Sequence, residues 1–334
     1  MEEGKRTTSL KLQRSINSYY TQKLAISNPR TVKLAHYALD NFEKFTKEFY
    51  NKSLDEITEE FKDEEVAYDV LQAWINWNLL KRSVKTTKLY FTMVKPYLYY
   101  KGIKFHPLDI KQNLKFPKVL EDEKHGVTQD EIRKIFDYLR PRKKALYLCQ
   151  SSSGMRIGEL MRLRKSQLNL DSKRIVVYIP AEHSKNGRAR TTFFSKEAEK
   201  YLKVIIKNLD ENDLIFTKNE NWEYARNSEI TNMRRWIKKC GLKNITTHSF
   251  RAYFITKVSR TDPNVAKRLA GQKGYLDTYD RLSLEEKLEV YLKVEPLLLI
   301  FDNSQNDPDR ITKLEKKLSV MFDTIQKMRN YEIT

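Results

Sequence analysis

Thr247-His248-Ser249-Phe250-Arg251, continuing as AYFITKVSRTDPNVAKRLAGQKGYLDTY to Tyr279, is the stretch that decides the fold. His-x-x-Arg in a helical run places His248 and Arg251 on one face, about one turn apart. A short Gly-bearing, helix-breaking segment then leads to Tyr279. About a hundred residues upstream, Ser153-Gly154-Met155-Arg156-Ile157-Gly158-Glu159-Leu160 presents another arginine at a Gly-bearing turn into a helix. Two arginines, a histidine and a tyrosine are the side chains that a phosphodiester-transfer site needs.

These motifs resemble the tyrosine recombinases of the phage-integrase family, and more closely their archaeal integrase-like branch, over residues 25–302. Arg156 matches the first family arginine and Glu159 the acidic residue after it; Lys185 in His183-Ser184-Lys185-Asn186-Gly187-Arg188 matches the β-turn lysine. His248 and Arg251 match the His-x-x-Arg box, and Tyr279 matches the nucleophile. One position departs from the pattern. Leu269-Ala270-Gly271-Gln272 carries glutamine where the family has histidine or tryptophan, although an amide N–H still donates to a phosphate oxygen.

The resemblance implies a mechanism and an architecture. Tyr279 attacks DNA, giving a 3′-phosphotyrosyl link that stores the bond energy without ATP. Arg156 and Arg251 clamp the non-bridging oxygens, Lys185 protonates the leaving 5′ oxygen, and His248 bonds the phosphate and assists proton transfer from tyrosine. The implied fold is mainly α with a small antiparallel β element, arranged as a clamp of an all-helical core-binding domain and a mixed catalytic domain. The implied assembly is a tetramer on double-stranded DNA, passing through a Holliday junction. Two rival functions share the fold or the chemistry: an architectural DNA-binding protein with weakened catalysis, and a nicking-closing enzyme like the type IB topoisomerases. Of the other tyrosines, Tyr275 is only three residues past Gln272, and Tyr291 sits in an amphipathic stretch that favours packing.

Composition is consistent with a nucleic-acid partner. The 334 residues hold 63 Lys+Arg against 44 Asp+Glu, a formal charge of +19 that favours a polyanion. The hydrophobic fraction of 40% argues for globular domains rather than disorder. No apolar run approaches the roughly 18 residues of a membrane span, and the N-terminus lacks a signal-peptide core, so a cytoplasmic, nucleoid-associated protein is expected. Cys149 and Cys240 have no Cys-x-x-Cys partners, the five histidines show no ligand spacing, and no Walker loop is present. Neither cofactor nor metal is expected.

Domain organisation follows from periodicity. Residues 1–24 are polar and basic and predict a mobile arm. Residues 25–104 predict a helical domain: Leu34, Ala38, Phe42 and Phe45 form one stripe, Val66, Val70, Trp74 and Trp77 a second, and Leu89, Met93 and Tyr97 a third that Pro96 kinks or shortens. Tyr97, Tyr99 and Tyr100 are expected to pack in the core. The basic start of the third helix offers Arg82, Lys85, Thr87 and Lys88 for phosphate contact. Residues 105–126 lose periodicity and predict a linker.

Residues 127–302 predict the catalytic domain, opened by the capping box Thr128-Gln129-Asp130-Glu131. The runs Arg174–Pro180 and Arg190–Phe194 predict a hairpin with Lys185 at its tip. Helices are expected near Ser195–Lys207 and Asn227–Cys240, the second offering Arg234, Arg235, Lys238 and Lys239 to a DNA backbone. Val294–Phe301 is either core or a segment that docks on a neighbouring subunit. Residues 303–334 carry a seam of Ile311, Leu314, Leu318, Met321, Ile325 and Met328, compatible with self-packing or with a contact between subunits.

Overall fold

The structure, a computed structural model, describes residues 14–121, 123, 125–272 and 282–301. It falls into two compact units, residues 1–123 and 124–334.

The first unit is all-helical. Its described elements are α1 (Ile16–Tyr19), which runs into a π-helical turn at Tyr20–Leu24, then α2 (Pro29–Tyr50), α3 (Leu54–Glu60), α4 (Glu64–Leu79), α5 (Val84–Lys101) and α6 (Pro107–Asn113). Starts are set by local side chains that accept the orphan N–H groups of a first turn. Asn28 accepts from Arg30 N–H ahead of Pro29, Ser53 and Glu56 form a capping box, and Asp63 and Ser83 cap α4 and α5. Ala38, Leu39 and Phe42 of α2 pack with Leu71, Trp74 and Ile75 of α4 and Val94, Tyr97 and Leu98 of α5. Buried Trp74 keeps its indole N–H bonded to Asn41 Oδ1 at 3.0 Å, so its large apolar surface is buried without orphaning a donor.

Several expectations for this unit change. Residues 15–24 are helical rather than part of an arm: Ser15 and Ser18 form a capping box, and Tyr19 is buried with its ring 5.5 Å from that of Tyr97 and 5.4 Å from that of Tyr100. A serine at the third helical position carries none of the acidic signature of a capping box, which is why composition reads this segment as an arm. The inward stripe of α5 is Thr87, Phe91, Val94, Tyr97 and Leu98, with Leu89 exposed, and α5 runs through exposed Pro96 to stop at Gly102 (φ +93°). In the stretch 105–126, Phe105 and Leu114 bury in this unit's core and α6 lies between them. Tyr99, expected in the core, is partly exposed and donates to Phe105 O.

The second unit is mainly helical around a small sheet. Its described elements are α7 (Gln129–Phe136), α8 (Pro141–Ser153), α9 (Ile157–Leu160), β1 (Leu168–Asn169), β2 (Val176–Ile179), β3 (Arg190–Phe193), α10 (Lys196–Ile206), α11 (Trp222–Lys239), α12 (Thr247–Ser259), α13 (Pro263–Ala270) and α14 (Leu284–Leu298). The sheet is antiparallel in the order β1-β2-β3, with Val176 opposite Phe193 and Ile179 opposite Arg190. The Thr128–Glu131 capping box starts α7, and Ser195 caps α10.

Buried α8 is the hub. Leu146, Tyr147 and Leu148 join Phe250 and Phe254 of α12, Phe193 of β3 and Phe194 just after it, and Tyr291 and Val294 of α14 in one core. The segment Val294–Phe301 is core of its own unit: Val294, Leu298 and Ile300 are buried, and Glu197 accepts from the N–H groups of Ile300 and Phe301 at 2.8 and 2.7 Å. Buried Glu295 takes a bidentate bond from Arg174 and one from Lys196 N–H, tying α14 to the edge of β2 and the start of α10. Residues 303–334, with their heptad seam, lie outside the described residues.

Candidate functional site

The site is built on the C-terminal end of α8. A helix end leaves carbonyls without intrahelical partners, and here elements far apart in sequence fill them. Tyr291 of α14 donates to Ser152 O at 2.9 Å, Thr192 of β3 to Ser153 O at 2.9 Å, and buried Arg251 of α12 to Gly154 O. Gly154 caps α8 at φ +65°, and a Cβ there would lie 2.4 Å from Phe254 Cδ1, so both conformation and space require glycine. The turn then delivers Arg156 as the N-cap of α9.

Glu159 organises the cations. Only 2% exposed, it accepts from Arg156 N–H at 2.8 Å, from Arg156 Nη1 at 3.0 Å, and from Arg190 Nη1 and Nη2 at 3.2 and 2.6 Å. Burial pushes its carboxyl up, but Arg190 and Arg156 outweigh burial and hold it below the usual carboxylate range. Arg251, 1% exposed, is pushed down to about 10 by burial and by the charge of Arg156, partly offset by Glu159. It stays protonated at neutral pH. His248, in the first turn of α12, keeps an exposed edge while the protein strips part of its hydration; that desolvation and the charges of Arg251 and Arg156 lower its pKa. Three guanidinium groups against one carboxylate leave a local positive excess suited to an anion.

The structure therefore brings Arg156, Glu159, His248 and Arg251 together. Lys185 is exposed in the loop between β2 and β3, whose neighbour Asn186 donates from Nδ2 to Gly271 O at 3.2 Å. That bond ties the lysine loop to the end of α13. Gln272 is exposed just past Gly271 (φ +66°), with its backbone N–H on Lys267 O at 2.8 Å. Tyr279 and Tyr275 lie outside the described residues. Tyr291 is fully buried and bonded to Ser152 O, so its phenol cannot reach a bound phosphate.

Arg190 is the site residue that sequence reasoning missed. Its one available signal is strand alternation, since Arg190 and inward-facing Thr192 share a face of β3.

Among the basic residues outside this cluster, Arg234, Arg235 and Lys238 are exposed on α11. In the first unit Lys85 is exposed and paired with Glu121 at 2.7 Å, Arg82 lies over the Tyr90 ring, and Lys88 lies over the Phe116 ring. Thr87 must be removed from the phosphate-contacting set: it is fully buried, and its hydroxyl donates to Ser83 O at 3.2 Å. Four residues into α5, that hydroxyl turns back along the helix rather than outward.

Among the described residues there is no group of three or more His, Cys, Asp or Glu that could hold a metal ion, and no helix long and apolar enough to cross a membrane.

Residues 126–271 match the Phage integrase family. The chain is 26% identical over 232 residues to the tyrosine recombinase XerA of Pyrococcus horikoshii, covering 65% of this chain and 77% of that protein. Its fold is also that of lambda integrase. It aligns with a lambda integrase dimer bound to a core site at a TM-score of 0.57 and 14% identity, covering 80% of this chain and 97% of that one. With a lambda integrase tetramer bound to a Holliday junction the TM-score is 0.50 and the identity 15%, over 80% and 88% of the two chains. Over residues 126–271 the chain is thus similar to the phage integrase family, and its tyrosine recombinase relatives support a site-specific recombinase, an enzyme that cleaves and rejoins DNA. A second archaeal tyrosine recombinase XerA, from Saccharolobus solfataricus, is 25% identical over 213 residues, covering 62% of this chain and 67% of that protein.

Proposed function

We propose that the chain recombines double-stranded DNA through a covalent 3′-phosphotyrosyl intermediate. The observation that carries this reading is the convergence of Arg156, His248 and Arg251 around Glu159 at the end of α8. Tyr279 attacks the phosphodiester. Arg156 and Arg251 stabilise the charge that grows on the non-bridging oxygens, and fixed donors in a low-dielectric site are the strongest means of doing so. Lys185, on the loop tethered to Gly271, protonates the departing 5′ oxygen; Gln272 donates its amide to the phosphate. His248 is mostly neutral at pH 7, which lets it take the proton of the tyrosine. A second 5′-hydroxyl then attacks the phosphotyrosine, and two such exchanges make and resolve a Holliday junction.

The working assembly is a tetramer on DNA, as the lambda integrase tetramer on a Holliday junction supports. The helical unit and the catalytic unit each contact the duplex, the former through Arg82, Lys85 and Lys88 and the latter through the exposed α11 face of Arg234, Arg235 and Lys238. The protein acts wherever the cell keeps its DNA.

Denaturing gels test this reading. Wild type and Tyr279→Phe are incubated with a pool of nicked duplexes of randomised sequence, and an adduct formed by wild type alone is the expected result. Salt-sensitive binding without any adduct would instead favour an architectural role and make Gln272→His the next variant to assay.

A further inference from the structure

We infer that Arg190 is a positioning residue for this site, holding together the start of α9 and the end of α13; the inference rests on the recombinase reading above. Arg190 is 7% exposed in its side chain, and every nitrogen of its guanidinium is engaged. Nη1 and Nη2 take the carboxylate of Glu159, and Nε donates to Leu269 O at 3.1 Å. It has no fork left for a phosphate, so it acts through other residues.

Two consequences follow from that geometry. Glu159 is shared between Arg190 and Arg156, and Arg190 takes both of its oxygens while Arg156 Nη1 takes one. Without Arg190, the buried carboxylate would have Arg156 as its nearest cation and would draw the guanidinium inward, away from the phosphate it has to clamp. The other groups that face this carboxylate, Arg251 from α12 and His183 from the β2–β3 loop, interact with it by charge alone among the described contacts. The second consequence concerns Gly271. An ideal Cβ at that position would lie 2.8 Å from Arg190 Cζ and Nη1, so the guanidinium packs directly on the glycine backbone that leads into Gln272. Asn186, next to Lys185, bonds the same Gly271 carbonyl. One side chain thus sets the spacing among the turn of Arg156, the lysine loop and the segment that carries Gln272.

A misplacement of about 1 Å in such a site costs on the order of 100-fold in rate. The test compares wild type, Arg190→Gln, Arg190→Lys, Glu159→Gln and Arg190→Gln/Glu159→Gln. Single-turnover adduct formation on the randomised nicked-duplex pool is measured alongside DNA affinity and the thermal midpoint. The expected result for Arg190→Gln is a rate ~10–100-fold lower with DNA affinity little changed, and partial recovery in Arg190→Lys, which keeps the charge and loses the fork. In the Glu159→Gln background the same Arg190 change should cost less, because the carboxylate that has to be held is gone; a purely structural role would cost the same in both backgrounds. Equal losses in both backgrounds, or a rate loss matched by an equal loss of affinity, overturn the inference. If Arg190→Gln does not fold, Arg190→Lys carries the test, and a wild-type rate there overturns it too. A wild type that forms no adduct overturns the recombinase reading itself and the positioning role of Arg190 with it.

Discussion

His248 and Arg251 leave one face of α12 about one turn apart, and their surroundings perturb them in ways that suit different tasks. For Arg251, even a value pushed down to about 10 leaves the guanidinium charged at every pH where DNA is handled. For His248, burial and two neighbouring arginines lower the pKa from its ordinary 6.5, so the neutral ring persists further into acid. The sign is definite: as pH falls below 6.5 the unfolded chain takes up this proton before the folded one does, so His248 withdraws stability between 6.5 and its own lower pKa. As the proton acceptor for Tyr279, it should give adduct formation an acid limb centred below 6.5, and His248→Gln should flatten that limb while lowering the plateau. A pH–rate profile of the two proteins measures this; an unchanged limb in the variant would assign it to another group.

At the scale of elements, the end of α8 is held by bonds from three other elements, and each bond has a measurable worth. Tyr291→Phe leaves the buried Ser152 carbonyl without its phenol donor and should cost about 1–3 kcal/mol in urea unfolding. The same variant should still form the DNA adduct, the opposite of Tyr279→Phe, because the Tyr291 hydroxyl serves the fold. Gly154→Ala is the sharper test of the turn. Left-handed backbone costs a non-glycine residue about 1–2 kcal/mol, and the clash with Phe254 at 2.4 Å adds to that by displacing a core ring. Unfolding should therefore register a larger loss than for a glycine in open space such as Gly187, which shares a positive φ and has nothing within 4 Å of its would-be Cβ.

For the whole molecule, the excess of 63 Lys+Arg over 44 Asp+Glu should appear as salt dependence. Each phosphate neutralised adds ~0.9 to the slope of log affinity against log salt. The double variant Arg234→Gln/Lys238→Gln should reduce that slope by about 2, roughly one per lost contact, with nearly equal loss on every DNA sequence; filter binding or fluorescence anisotropy over a salt series measures it. An unchanged slope would take the α11 face off the DNA. Much of the fold was legible before the structure. Local signals such as Asn28-Pro29, Ser83 and the Thr128–Glu131 box act within one turn, and all three start helices where the sequence places them. The helical pairing of His248 with Arg251 is equally local. Where the signal was weak or the outcome depended on partners, the sequence misled: residues 15–24 fold because Tyr19 finds Tyr97 and Tyr100, some eighty residues away, and Thr87 turns inward because a helix has one buried face and α5 places it there. What the sequence determined by itself was the residue chemistry, the helix starts and the two β-runs, since those depend on neighbours within a few positions. What only the tertiary structure decided was which charges meet: Glu159 lies 31 residues from Arg190, and no spacing rule joins them. Burial does, because a carboxylate excluded from water has to be satisfied by whatever cations the packing brings to it.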